Sequence, residues 1–219
     1  MSLLLLLLQA EETFKTIEAR IEKAASLHVR FTRRVDTLGD AAQVDRTSTS
    51  HGLLAVGKSG QVRYELNYKQ DATDKHLCLY DGARLRVRHG RGPIEEREAA
   101  PGLKAIVLSL FARGGTGACG NVLSWGQVKD STAAEQKKLL QATNFRDVQG
   151  RTGLGFTHTP LNTPQDTADS VLWYDPKTFD PKKREDRQEL AGLGRFVVTE
   201  TYEIREDAPD DLFSWPADK

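Results

Sequence analysis

The sequence is short of almost everything that marks a catalyst or a metalloprotein. It has two cysteines, Cys78 and Cys119, 41 positions apart and without a CxxC spacing. Structural zinc takes four ligands, usually in closely spaced pairs, so neither thiol reads as a metal ligand. One disulfide and two separate buried thiols both fit the count. The five histidines, His28, His51, His76, His89 and His158, never fall at HxH or HxxxH spacing. There is no GxSxG elbow. The glycine-rich "ARGGTGACGN" lacks GK[ST] and follows a helical pattern instead of a strand, so it reads as a flexible connector and not a phosphate loop. Glu95 and Glu96 lie in a charged stretch, where solvation in a loop accounts for them. These absences predict a protein that is not an enzyme and needs no cofactor or metal.

A surplus of either charge is missing too. Lysine plus arginine equals aspartate plus glutamate, 31 each, whereas a protein built for a polyphosphate backbone carries a basic excess. No nucleic-acid partner is expected. Long apolar runs are also lacking. The leading "MSLLLLLLQAEE" has six consecutive leucines, against the roughly 20 apolar residues that a bilayer span needs. It has no basic n-region, but it resembles the tail of a signal h-region with a small-residue cleavage site near Ala10. No cysteine follows that could take a lipid. The expected organisation is therefore a signal remnant at 1–10 and a single domain at 11–219, in an exported protein. No repeat and no Pro/Gly-rich linker divides the chain.

What the chain does have is two-residue alternation. In "ASLHVRFTRRVDT", Leu27, Val29, Phe31 and Val35 alternate with His28, Arg30, Thr32 and Arg34, and Arg33 interrupts the apolar side. That is the period of a half-buried strand. "LGDAAQVDRTSTS" reads as a loop or wide turn. "HGLLAVGKSGQVRYELNYKQ" reads as two strands around "GKSG", with Val62, Tyr64, Leu66 and Tyr68 strictly alternating in the second. "KHLCLYDGARLRVRHG" is a hairpin turning at Asp81-Gly82; Leu85 and Val87 supply its apolar side, and Arg84, Arg86 and Arg88 its wet side. Further strands follow at "GLGFTHTP", at the Asp175-Pro176 hairpin of "SVLWYDPKTFDPKKREDRQE", and at "GRFVVTETYEIRE".

Helices are expected in three places. Residues 12–26 carry Phe14, Ile17, Ile21, Ala24 and Ala25 at helical spacing. A second runs from Pro101 to a stop at Gly114, with Leu103, Ile106, Val107, Leu110 and Phe111 on one face. A third starts from the Thr132-x-x-Glu135 capping box and ends near Thr143. The fold class is mainly β (α+β), an antiparallel sheet whose apolar side must be covered.

Several of these segments, in order, resemble the periplasmic outer-membrane lipoprotein carriers, the LolA-like family. "ASLHVRFTRRV" after an amphipathic helix is similar to that family's S-[FL]-x-A-x-F-x-Q-x opening strand. "GLLAVGKSGQVRYEL" is similar to its second and third strands. "LCLYDGARLRV", "FTHTP", "WYDPKTFDPKKRE" and "DDLFSWP" resemble its DG hairpin, a strand ending in TP, a late hairpin and an aromatic-proline terminus. The resemblance implies a single curved antiparallel sheet forming an unclosed β-barrel, with helices as a lid over an apolar cavity that takes acyl chains. It implies a cavity lined by Val29, Phe31, Leu54, Val56, Val62, Tyr64, Leu66, Leu85 and Val87, under a lid bearing Ile106, Val107, Leu110 and Phe111. Lys58 stands where the family latches its lid with arginine, a point donor replacing a planar fork, and Ala55 stands where the family has tryptophan.

The function so implied is a monomeric carrier that binds lipoproteins or other acylated lipids and moves them toward the outer membrane. Inner- and outer-membrane lipoprotein-transfer proteins would be its partners. The alternative on the same fold is a non-enzymatic sensor or interaction module, similar to the RseB-like regulators of envelope stress.

Overall fold

The alternating segments do pair, and they pair into one sheet. The computed structural model describes residues 3–39, 43–68, 75–125, 141–148, 152–158, 167–190 and 194–215. In chain order these form α1 (Leu3–Glu22), β1 (Leu27–Leu38), β2 (Val44–Val56), β3 (Val62–Asn67), β4 (Lys75–Tyr80), β5 (Leu85–His89) and β6 (Glu95–Arg97). Then come α2 (Leu103–Trp125), β7 (Thr143–Val148), β8 (Gly153–His158), β9 (Ala168–Tyr174), β10 (Pro181–Leu190) and β11 (Gly194–Arg205), and a short 3-10 turn at Asp210–Phe213.

The strand order is β6-β5-β4-β3-β2-β1-β11-β10-β9-β8-β7, with every pairing antiparallel. Two meanders, β1–β6 and β7–β11, are thus joined where the first strand pairs with the last. Among the described residues β6 and β7 are the two edges, so the sheet does not close. Register places Val29 opposite Leu54 and Ile204, Leu54 opposite Tyr64, and Tyr64 opposite Cys78, which in turn faces Val87. These residues share one face, and both helices lie on it.

From α1 come Ala10, Phe14, Ile17 and Ile21, all buried. Phe14 packs on Phe145 of β7 and Phe156 of β8, with ring centroids 5.1 and 4.9 Å away. The helix starts well before the expected residue 12, and its Ala10 belongs to the core. The other helix, α2, is long and apolar enough to cross a membrane, but 78% of that stretch is buried inside the fold. Here it serves as a core helix.

Three further expectations are corrected. Residues 44–50, read as part of a loop, form the first half of β2 and pair with β1 out to Leu38. Their side chains are mostly exposed, so no buried face imprinted an apolar period on them. Glu95 and Glu96 lie on edge strand β6, held opposite Val87 and Arg86. "ARGGTGACGN" is no connector: it is the middle of α2, with Ala118 and Cys119 buried within it and Val122 and Leu123 buried beyond it. Tertiary packing there overrides the low helix propensity of glycine. Both cysteines are free, buried thiols. The expected third helix, from Thr132 to about Thr143, lies outside the described residues up to 140, and its expected end at Thr143 instead opens β7.

On the opposite, outer face the C-terminal segment lies across β3. Arg63 donates to the carbonyls of Leu212 and Ser214, and the Arg88 guanidinium sits 5.4 Å from the Trp215 ring. Ala55, Leu77 and Leu79 are buried, so this side carries a small apolar layer of its own.

Candidate functional site: an apolar inner face with a buried polar band

The residues assigned to a cavity wall and a lid come together. Val29, Phe31, Leu54, Val56, Val62, Tyr64, Leu66, Leu85, Val87, Ile106, Val107, Leu110 and Phe111 all belong to one cluster, and none is more than 4% exposed. Phe31 and Tyr64 stack with centroids 6.0 Å apart, and Phe111 meets Tyr202 edge-on at 5.4 Å. Burial pushes the Tyr64 phenol well above its usual value and the Cys78 thiol up to about 11. Both stay neutral near pH 7. The wall and the cover are in direct contact, with Gly120 of α2 against the Tyr64 hydroxyl and the Ser124 Oγ 3.5 Å from Cys78 Sγ.

Lys58 is not among these residues. It is exposed in the β2–β3 turn. The lysine that ties helix to strands is Lys104, in the first turn of α2, which donates to the carbonyls of Ala25 and Gly57 at 2.7 and 3.3 Å.

A band of charge crosses the same inner face, and the sequence reading passed over most of it. Arg33 follows Phe31 in phase on β1 and lies opposite Glu200 of β11, which lies opposite Arg184 of β10. Asp186 follows Arg184 in phase, opposite Ser170. Arg184 is 1% exposed and Glu200 3%. The Arg184 Nε donates to both Asp186 oxygens at 2.8 and 2.9 Å, and its Nη1 donates to the carbonyl of Arg113 in α2. Two cations and two anions balance, which is the condition under which buried charge is tolerated.

Glu200 does a different task. α2 is broken at Gly115, which has φ 66° and ψ −165°, a conformation open essentially to glycine alone. A Cβ there would sit 2.5 Å from Glu200 Oε2 and 2.9 Å from the Tyr202 hydroxyl. Past the break, the backbone N–H of Thr116 donates to Glu200 Oε2 at 2.9 Å, and the Thr116 hydroxyl and Gly117 N–H donate to Oε1 at 2.7 and 3.1 Å. The Tyr202 hydroxyl donates to Oε2 at 2.6 Å. A carboxylate from the sheet therefore caps the second half of the helix, where the dipole is positive.

His158 closes the band. The Ser170 hydroxyl donates to Asp186 at 2.6 Å and so accepts from His158 Nδ1 at 3.0 Å, which assigns the Nδ1–H tautomer. Burial, and then the Arg184 charge, push the imidazole down to about 3. The unfolded chain takes up this proton near 6.5 and the folded chain only near 3. Stability from His158 is thus fully present above the unfolded value and is lost as pH falls through that window, at up to about 1.4 kcal/mol per pH unit. We expect urea-derived stability to drop between about pH 6.5 and 5, above the range where the carboxylates titrate. His158→Asn should flatten most of that slope. His28, also lowered by burial and Arg30, would supply the residue. An unchanged slope in His158→Asn would place the proton uptake elsewhere.

No family model matches the chain, and no curated relative is found. Among solved structures, the chain is similar to a DUF1329 family protein from Desulfovibrio piger, with a TM-score of 0.41 and 10% identity over 95% of this chain and 97% of that one. It is also similar to a putative outer membrane lipoprotein-sorting protein domain from Vibrio parahaemolyticus, with a TM-score of 0.36 and 11% identity over 93% and 97%. A third is the Pseudomonas aeruginosa MucA/MucB complex, with a TM-score of 0.42 and 13% identity over 95% of this chain and 62% of that one. The class that the fold defines is an open antiparallel sheet with a helical cover on its apolar face.

Proposed function

We propose that the protein is a non-catalytic carrier of the cell envelope, which takes the acyl chains of lipoproteins or of other apolar molecules onto the inner face of its sheet. One observation supports this above the rest. The apolar cluster of β1, β2, β3 and β5 is covered by helices, and the principal cover is broken at Gly115. A helix can leave such a face without breaking a single ladder hydrogen bond, whereas a second sheet strand could not. Each methylene then buried contributes about 0.8 kcal/mol, so a long chain can compensate for the displaced helix contacts. On this reading the protein acts as a monomer in the periplasm, receiving cargo at one membrane and releasing it at the other to lipoprotein-transfer partners.

A fluorescent fatty-acid probe tests it. Binding should be insensitive to salt, because screening acts on charges and not on apolar burial. Leu66→Glu should abolish binding, since a carboxylate would have to be desolvated beside the chain. Arg86→Ala should leave binding unchanged: Arg86 lies outside, paired with Glu96 and Asp81, and such exposed pairs are worth at most about 1 kcal/mol. Salt-sensitive binding that Arg86→Ala removes would mean that the basic outer face is the working one.

The second reading, an interaction module, is favoured by a groove of about 680 Å³ on the outer face, lined by His28, Arg30, His51, Glu65, Glu203 and Leu212. A protein partner seated there would be lost in Arg30→Glu, with probe binding intact.

A further inference from the structure

The two halves of α2 are held by different parts of the molecule. Residues 103–114 are tied at their start by Lys104 to Ala25 and Gly57, and at their end by the pair of Arg113 with Glu18 of α1. Arg184 also takes up the Arg113 carbonyl. Residues 116–125 are clasped mainly from the sheet, besides the Cys119 thiol, which lies 3.5 Å from the Val107 carbonyl of the first half. Glu200 accepts at their first turn, and Arg97 of β6 donates to the carbonyl of Ser124 in their last. An anion thus meets the positive end and a cation the negative end, both supplied from outside the helix.

The second half also seats directly on the proposed binding wall. A Cβ at Gly120 would come within 2.5 Å of the Tyr64 hydroxyl, and one at Gly117 within 3.2 Å of the Arg33 guanidinium. The Ser124 Oγ is 3.5 Å from Cys78 Sγ. Its own sequence does little to keep it helical: Gly117 and Gly120 are poor formers, and its first turn has no acidic residue of its own. Undocked from Glu200, it would lose its cap and its helicity together.

We propose that α2 is hinged at Gly115 and that residues 116–125 alone form the detachable cover, with Glu200 and Arg97 as its two clasps. This rests on the carrier reading for what the cover admits, but the hinge itself is testable without any ligand. The first half stays docked and keeps the core closed around α1. The second half leaves as a local unfolding unit and bares Tyr64, Cys78 and their neighbours on β3–β5.

Hydrogen exchange on the full chain, read by mass spectrometry, decides it. Backbone amides 116–125 should exchange faster than 106–112 in the wild type. Glu200→Gln presents an amide N–H₂ where the Thr116 N–H needs an acceptor. It should speed the second half by about tenfold, the scale of losing charge-assisted hydrogen bonds, and leave the first half unchanged. Equal acceleration of both halves, or none in the second, would overturn the hinge. Ser124→Cys supplies an independent arm, since its thiol can be oxidised onto Cys78 to pin the second half to β4. Oxidation should slow exchange at 116–125 and block uptake of the fatty-acid probe, and reductant should restore both. Uptake that is as fast in the oxidised form as in the reduced form would overturn the cover. A wild type that shows the split exchange pattern but binds no probe would keep the hinge and remove the acyl-carrier reading.

Discussion

Arg184→Met should lower the unfolding free energy by about 3–5 kcal/mol, the usual cost of leaving a buried charge without its partner. Among the described residues, Asp186 would keep the Ser170 hydroxyl as its hydrogen-bond donor, at a site where its former cation was 1% exposed. The Arg113 carbonyl at the break of α2 would lose its donor as well. Urea titration at pH 7 reads the effect. The double variant Arg184→Met/Asp186→Leu should regain most of the loss, because an apolar pair of similar volume needs no desolvated ions. A loss below about 1 kcal/mol in the single variant would mean that water reaches the band and that its charges behave as a surface pair.

Gly52→Ala should cost about 3 kcal/mol, at the upper end of ordinary overpacking. Gly52 lies between Phe31 on β1 and Leu66 on β3. A Cβ there would come within 2.2 Å of Phe31 Cζ and 2.3 Å of the Glu65 carbonyl oxygen. The ring could yield only by leaving its stack on Tyr64, and the carbonyl is part of the β2–β3 ladder. Adding Phe31→Leu should therefore recover part of the loss and not all of it. A near-neutral Gly52→Ala would contradict the register of the three central strands. The phenyl ring fills the space above the glycine, so a residue poorly suited to strands is tolerated at the middle of the sheet.

Much of this fold was legible because burial on one face imprints a two-residue period. Leu27, Val29 and Phe31, then Val62, Tyr64 and Leu66, then Leu85 and Val87 were readable as inward rows, and all are buried. The Asp81-Gly82 turn was readable because its chemistry is local: Gly82 has φ 105°, and the Asp81 carboxylate accepts from the N–H groups of Ala83 and Arg84. The first half of β2 left no such trace, since neither of its faces is deeply buried. α2 beyond Gly114 was hidden for the opposite reason, because four nearby glycines argue against a helix that packing nevertheless holds.

The polar band was half visible. Arg33 stood out as a break in the apolar side of β1, and the in-phase positions of Arg184, Asp186 and Glu200 on their strands carried the same signal. A charged residue on an inward row becomes interpretable only when its partner is known. The partners here are 84 residues apart for Glu200 and Thr116, and 71 for Arg184 and Arg113.

By itself, then, the chain determined where the half-buried strands β1, β3 and β5 run and which of their faces is apolar, and that no local motif for metal or phosphate is present. These properties are carried by periods of two to four residues and by turn chemistry, so neighbours along the chain settle them. Only the tertiary structure decided that β1 meets β11, that α2 bends at Gly115, and that Glu200 and Arg97 hold its far half. Those features depend on placing isolated charges opposite the ends of a helix, and no local sequence period records a pairing between residues so far apart.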